Sequence, residues 1–295
     1  MAGNPAFRVR FWGVRGSYAA PGSDTVRYGG NTSCVEVQAG GKRIVLDAGS
    51  GIIPLGKHIL ETASDGQGQH TLVLISHFHF DHIQGLPFFR PAFLSSHRVY
   101  VYAPSFMNET PRATFDRLLV SPMCPFDLRN MSGVAEVSEV KPGERFVWSP
   151  SDDAPRPAGE AASDEDVLVE PYVNYDIHPR DGVALYRLRH RGRSLVYATD
   201  VEGVHDEVVE FARGADLLIL DAMYKRNEYE NITRGWGHST VTMAREVAQR
   251  ADVARFALFH HSPDHDDDTI DEKERFARKE FPAAFCACEG QTVEF

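Results

Sequence analysis

Ile75-Ser76-His77-Phe78-His79-Phe80-Asp81-His82 packs three imidazoles and one carboxylate into the six residues from His77 to His82. The apolar run before it, Thr71-Leu72-Val73-Leu74-Ile75, reads as a buried β-strand. Alternate side chains of an extended segment point the same way, so His77 and His79 share a side, while Asp81 and His82 come from the turn that follows. Imidazole nitrogen and carboxylate oxygen without thiolate suit zinc or another borderline divalent ion. Four donors this close together point to two metal ions rather than one.

Working outward, other apolar strands end in the same way. The run 195–198 is followed by Asp200, 217–220 by Asp221, and 256–259 by His260 and His261. α/β proteins gather their sites where loops leave a rigid sheet. One polar strand end means little; four together mark a site.

Segments 7–12, 33–38 and 43–46 are predicted strands, with Gly40-Gly41 as a hairpin turn. Further strands are predicted at 72–75, 98–102, 183–188, 194–197, 217–220 and 255–259. Helices are predicted at 52–61, 111–120, near 204–212, at 240–250 and at 268–281, with Thr110 before Pro111 as a cap. Segments 134–140 and 145–148 read as a hairpin around Lys141-Pro142-Gly143. The second half repeats the layout of the first. Strands interleaved with helices in both halves fit an α/β fold of two sheets packed face to face, helices outside. Residues 1–295 thus read as a single domain with two similar halves. Residues 149–166 are acidic, rich in Pro and Ala and free of large apolar side chains, the composition of a mobile surface loop.

With 42% hydrophobic residues in 295, the chain has ample material for a core. Its 31 basic against 42 acidic residues leave a net charge of −11. That repels polyanions and argues against a broad nucleic-acid surface. It says little about a small anion entering a cleft that holds metal cations. Cys34, Cys124, Cys286 and Cys288 are scattered and read as buried small residues. Residues 1–5 carry no apolar signal core, and no segment approaches the length of a membrane span. A cytoplasmic, soluble protein without a membrane partner is expected, free to form a homodimer.

The His77–His82 run follows the H-x-H-x-D-H signature of the metallo-β-lactamase superfamily of hydrolases. Arg10-Phe11-Trp12-Gly13-Val14-Arg15-Gly16-Ser17, Tyr28-Gly29-Gly30-Asn31-Thr32-Ser33-Cys34, Leu46-Asp47-Ala48-Gly49, Tyr197-Ala198-Thr199-Asp200 and Gly237-His238-Ser239-Thr240 also resemble it. The chain is similar to the branch of cyclic phosphodiesterases of phosphonate breakdown and the tRNA 3′-end-processing endonucleases of the RNase Z type. The matches run in order from about Phe7 to the C-terminus. The resemblance implies a four-layer αββα sandwich and two divalent metal ions, zinc or alternatively manganese. It implies His77, His79 and His178 on one ion, Asp81, His82 and His260 on the other, and Asp200 bridging both. His190 competes with His178 for its role, His261 with His260, and Asp200 could instead be a turn former. Asp47 is implied as a brace for the histidine loop.

A water held between two such ions would act as a hydroxide nucleophile, with Asp81 serving the chemistry as well as the metal. The leaving group still needs a proton, for which His238 is the candidate. It stands before a helix whose N-terminus disfavours an imidazolium, so it needs a carboxylate partner, for which Asp221 is the candidate. The matching acid of the RNA-processing branch is Glu, one methylene longer. Asn31, Thr32 and Ser33 read as turn residues, and Met123 and Phe126 as core or pocket wall. The histidines at 58, 70, 97, 190, 205 and 265 read as surface or structural.

Two dications against Asp81 and Asp200 leave an excess of positive charge that suits a small anionic substrate. The leading expectation is a dinuclear metal phosphodiesterase acting on small or cyclic phosphodiesters. A lactonase or β-lactamase-type hydrolase of the same fold is the alternative. An RNA 3′-processing endonuclease is a further one, although no basic, Gly- and Pro-rich arm is visible. Redox di-iron relatives carry Glu where this chain has His79. A non-catalytic metal-binding module would have lost ligands that are here in place.

Overall fold

The computed structural model describes residues 6–62, 70–122, 124–159, 163–178 and 182–295. The first half contains β1 (Arg8–Gly13), β2 (Cys34–Ala39), β3 (Lys42–Leu46), β4 (His70–Leu74), β5 (Arg98–Pro104) and β6 (Val134–Val140). Between them lie α1 (Ile52–Thr62), the single turn α2 (Phe80–Ile83) and α3 (Pro111–Leu118). There follow β7 (Phe146–Trp148), β8 (Arg156–Pro157), β9 (Val167–Asn174), β10 (Val183–His190), β11 (Arg193–Ala198), β12 (Leu217–Asp221), β13 (Phe256–Phe259), β14 (Ala284–Cys286) and β15 (Thr292–Glu294). The helices α4 (Asp206–Ala212), α5 (Val241–Arg250) and α6 (Asp267–Arg278) belong to this half. Thr110 and Thr240 cap α3 and α5, accepting from the N–H of Ala113 and Met243.

One sheet has the order β15-β1-β2-β3-β4-β5-β6, the other β14-β13-β12-β11-β10-β9-β7-β8. In each half an antiparallel β1-β2-β3 or β9-β10-β11 meander is followed by three parallel strands. The repeat expected from the sequence is therefore a repeat of topology. Three strands break it: β7 and β8 join the second sheet, and β15 returns to pair with β1 of the first.

Period-two alternation sorts the apolar residues into three layers. Ile44, Leu46, Leu72, Leu74, Leu188, Tyr197, Ile219 and Phe259 lie between the sheets. Val45, Val73, Ile75 and Val101 face the other way, onto Leu55 and Ile59 of α1 and Phe115 of α3. Val196, Leu218, Leu220 and Leu258 face Val208, Ala244, Val247 and Ile270 on α4, α5 and α6. Helix, sheet, sheet, helix is the four-layer αββα sandwich. No helix of the described residues is long and apolar enough to cross a membrane.

The expected hairpin 134–148 is not one. β6 extends the first sheet beside β5, while β7 pairs with β8 and β9 in the second. Burial explains the difference: β6 is exposed or half-buried at all but its last residue, whereas all of β7 is buried. A turn signal marks a reversal of the chain and not the partner it returns to. The sequence reading also missed β9, which contains Pro171. Proline argues against an interior strand, but β7 covers only Val167 to Val169. Beyond that reach the strand has an open edge where a missing N–H is tolerated. Within 149–166, β8 pairs with β7, and the Asp152 carbonyl accepts from Lys42 Nζ (2.6 Å) and Trp148 Nε1 (3.2 Å).

Leu188 is fully buried between the sheets. Leu188→Ala is expected to cost about 2–5 kcal/mol by lost transfer energy and a residual cavity. Urea denaturation would read this as a lowered midpoint with an unchanged slope.

Candidate metal centre

The site lies where strands of both sheets end. β4 leads through Ile75 and Ser76 into His77, His79 and the single turn α2, which carries Asp81 and His82. From the second sheet come Asp200 after β11, Asp221 at the end of β12 and His260 after β13. Asp47, Asp200 and His260 each follow a strand with positive φ, 62°, 55° and 56°. L side chains rarely adopt this region, and its clustering here is the kind of local strain found at functional sites.

Donor atoms of His77, His79, His178 and Asp200 lie within 4.8 Å of one another, as do those of Asp81, His82 and His260. Asp200 faces both sets: Oδ2 lies 3.6 Å from His77 Nε2, and Oδ1 lies 3.3 Å from both His82 Nε2 and His260 Nε2. Asp81 Oδ2 is 3.1 Å from the Nε2 atoms of His82 and His260 and accepts the Ser17 N–H at 2.7 Å. All seven residues named from the sequence thus meet in one place. His261 does not; its Nε2 donates to the Ala287 carbonyl. His190 is also elsewhere, against the Asp166 carbonyl.

The surroundings fix which ring nitrogens are free. Ser76 Oγ donates to Asp47 at 2.8 Å, so it accepts from His77 Nδ1 at 3.0 Å. His82 Nδ1 donates to Asp47 at 2.7 Å, and His178 Nδ1 to the Gly237 carbonyl at 3.3 Å. In each ring Nδ1 holds the proton and Nε2 turns to the centre. Buried His77 Nε2 has no hydrogen-bond partner, and His82 and His260 present Nε2 to each other at 3.2 Å. Converging nitrogens, with His77, His82 and His178 braced from behind, form the pattern of metal-ligating histidines.

The electrostatics agree. Burial opposes charge on Asp81 and Asp200, yet His82 and His260 hold both carboxyls well below the usual range. Burial and the neighbouring His82 push His77 well below its ordinary value. The cluster concentrates carboxylate charge that calls for cations, and its donor set fits two divalent ions.

Beside it His238 Nδ1 donates to Asp221 Oδ2 at 2.8 Å. The shorter Asp side chain therefore does reach the imidazole. Burial works against charge on His238, but Asp221 overrides it and pushes the group up to about 9. The other Asp221 oxygen accepts the Met223 N–H. His238 stacks on His260 with ring centroids 4.9 Å apart.

Sequence reasoning missed two contributors. Gly16 lies against His260, where a Cβ would meet the ring at 2.3 Å, so glycine permits the close approach. Ser17 supplies the N–H on Asp81. Both belong to a motif quoted from the sequence, but nothing local told that it pairs with 260–262, through Gly16 N–H to the His261 carbonyl. Asn31 and Thr32 are structural: Asn31 binds Glu289, and Thr32 and Ser50 exchange hydrogen bonds. Phe126 packs on Phe93, and Met123 lies outside the described residues. All four cysteines are free, and none enters the donor groups.

This fold and donor arrangement define a metallo-β-lactamase-like hydrolase. A family profile described as Beta-lactamase superfamily domain matches residues 42–261, and the chain belongs to that family. Ribonuclease Z of Natronomonas pharaonis is 29% identical over 285 residues, covering 87% of each chain. Ribonuclease Z of Metallosphaera sedula is 27% identical over 239 residues, 72% of this chain and 77% of its own. A solved diphosphatase of the PhnP family shares the fold with a TM-score of 0.66, at 20% identity over 98% of each chain.

Asp47→Ala would strand Ser76, His82 and Tyr197 in the core without their acceptor. The expected loss is on the order of 3–5 kcal/mol, as for removing one partner of a buried charged pair. Chemical denaturation in excess chelator measures it free of any metal contribution. A loss below about 1 kcal/mol, the range of an ordinary substitution, would refute the bracing role.

Proposed function

We propose that the chain hydrolyses small or cyclic phosphodiesters using two divalent cations, zinc or manganese. His77, His79 and His178 would hold one and Asp81, His82 and His260 the other, with Asp200 shared. Bound there, the cations would supply Lewis acidity towards phosphoryl oxygens and lower the pKa of water.

The observation that carries the reading is the Asp221–His238 pair beside the donor cluster. Nδ1 is committed to Asp221, so the proton available for transfer sits on His238 Nε2. An alkoxide leaving from phosphorus needs such a proton. Asp47 holds His82, and Ser76 holds His77, so neither ring must reorganise when substrate binds. The Ser17 N–H fixes Asp81 in the same way.

The ribonuclease Z likeness supports a second reading, endonucleolytic cleavage of RNA. The net charge of −11 weighs against it, because polyanion binding draws on basic surface. A panel of bis(p-nitrophenyl) phosphate, cyclic nucleotides, a precursor tRNA, a lactone and a β-lactam on one metal-loaded preparation separates the readings. Activity confined to the lactone or β-lactam would overturn the phosphodiester assignment.

Elemental analysis is expected to find two divalent ions per chain. A ceiling near one, even after metal addition, would sink the dinuclear arrangement. His238→Ala should lower kcat by ~10²–10⁴-fold for an alkyl or ribose leaving group and far less for bis(p-nitrophenyl) phosphate, whose nitrophenolate leaves unaided. Asp221→Ala should behave alike and the double variant add little. Equal losses on both substrate types would assign His238 to binding instead.

A further inference from the structure

The turn after Asp200 carries a carboxylate with no part in the chemistry above. Glu202 Oε1 accepts from the Gly235 N–H at 2.6 Å and the Tyr229 hydroxyl at 2.9 Å, and Oε2 from the Gly237 N–H at 2.7 Å. Its own N–H donates to the Ile177 carbonyl at 3.2 Å. One residue therefore joins three segments: the turn bearing Asp200, the chain entering His178, and the 229–237 loop, which opens with a helical turn at Tyr229–Thr233 and leads to His238.

Gly237 links this clamp to the site. Its N–H goes to Glu202, and its carbonyl takes the His178 Nδ1 proton, leaving Nε2 to face His79 Nδ1 at 3.4 Å. Gly235 and Gly237 have φ of 85° and 91°, a conformation glycine adopts without strain, so both N–H groups reach one carboxylate. On the far side of His238, the Ser239 hydroxyl donates to the Val201 carbonyl at 2.6 Å and accepts from the Gly203 N–H at 3.0 Å. Ser239 thus anchors the segment after His238, and Glu202 the segment before it. Ile232 and Trp236 in the loop are exposed, so those side chains supply little packing to replace the clamp.

We infer that Glu202 is a positioning residue that clamps the 229–237 loop, so that the Gly237 carbonyl sets the His178 tautomer and His238 stands against Asp221. Glu202 touches no ligand ring and no reacting atom. The inference rests on the proposed function for what His238 does in turnover, and on the hydrogen bonds alone for the clamp.

The test compares wild type, Glu202→Ala and Glu202→Gln as full-length zinc-loaded chains. At saturating zinc, Glu202→Ala should lower kcat about 10–100-fold on an alkyl or ribose leaving group, the usual effect of losing an outer partner of a metal site. The loss on bis(p-nitrophenyl) phosphate should be much smaller. Chelator competition should show weakened zinc binding, and the His178 ring ¹⁵N signals should shift. A glutamine can keep Tyr229 and Gly235 on its oxygen but sets an N–H against the Gly237 N–H, so its values should fall between the other two. A folded Glu202→Ala protein with wild-type zinc affinity and an unchanged ratio between the two leaving groups would overturn the inference. So would equal losses on both substrates without rescue by glutamine. If Glu202→Ala does not fold, Glu202→Gln decides alone, and wild-type behaviour in every readout would refute the clamp. Should wild type cleave no phosphodiester, the functional reading fails, while zinc affinity and the His178 signals still decide on Glu202.

Discussion

Asp47, shielded from solvent at the end of β3, accepts hydrogen bonds from Ser76 N–H and Oγ, His82 Nδ1 and the Tyr197 hydroxyl. Ser76 and His82 belong to the first half of the chain, Tyr197 to the second. The carboxylate therefore fixes the strand that launches the histidine run, the tautomer of one of its rings, and the spacing of the two sheets beneath the site. Two neighbours reinforce the joint, with Tyr186 OH on the Ile75 carbonyl and Ala184 N–H on the Ser76 carbonyl. An unpaired buried carboxylate is costly; with four donors on its two oxygens it becomes the fixed point from which the metal-facing side chains are aimed.

The centre draws on both halves. His77 and His79 meet His178 and Asp200, while Asp81 and His82 meet His260. Both of these groups combine residues of the two halves, so an ion bound in either would also hold the sheets together, and metal affinity would add to folding stability. The equivalent strands β3 and β11 end in Asp47 and Asp200, both with positive φ. The same backbone device yields a brace in one half and a shared donor candidate in the other, according to which side chains surround it.

Much of this was legible in the sequence because the relevant signals are local. The unbroken apolar run Leu72, Val73, Leu74 and Ile75 predicts a buried strand, and the polar residues just past the strands predict a site. Thr110 announces its helix. What was not legible depends on tertiary partners. The turn at 141–143 is real, but burial of β7 sends it to the other sheet. β9 hides behind Pro171, which only the short reach of β7 makes tolerable. His260 and His261 are neighbours of the same type, and the loop carrying Gly16 decides which of them enters the site. Glu202 left no signature, because its partners Tyr229, Gly235 and Gly237 lie about 30 residues away.

The crossing strands carry a consequence for the chain's integrity. β7, which precedes the β8–β9 connection, is paired to β9 of the second sheet, and β15, at the far C-terminus, is paired to β1 of the first. The chain before the β8–β9 connection thus lends β7 and β8 to the second sheet, and the chain after it lends β15 to the first, a reciprocal clasp. A single break between β8 and β9 would leave two pieces interlocked from both ends, each carrying part of the donor set and each missing an edge of its own sheet. Severing the backbone there is not the same as separating the halves, and two such fragments made apart would have complementary edges by which to find each other.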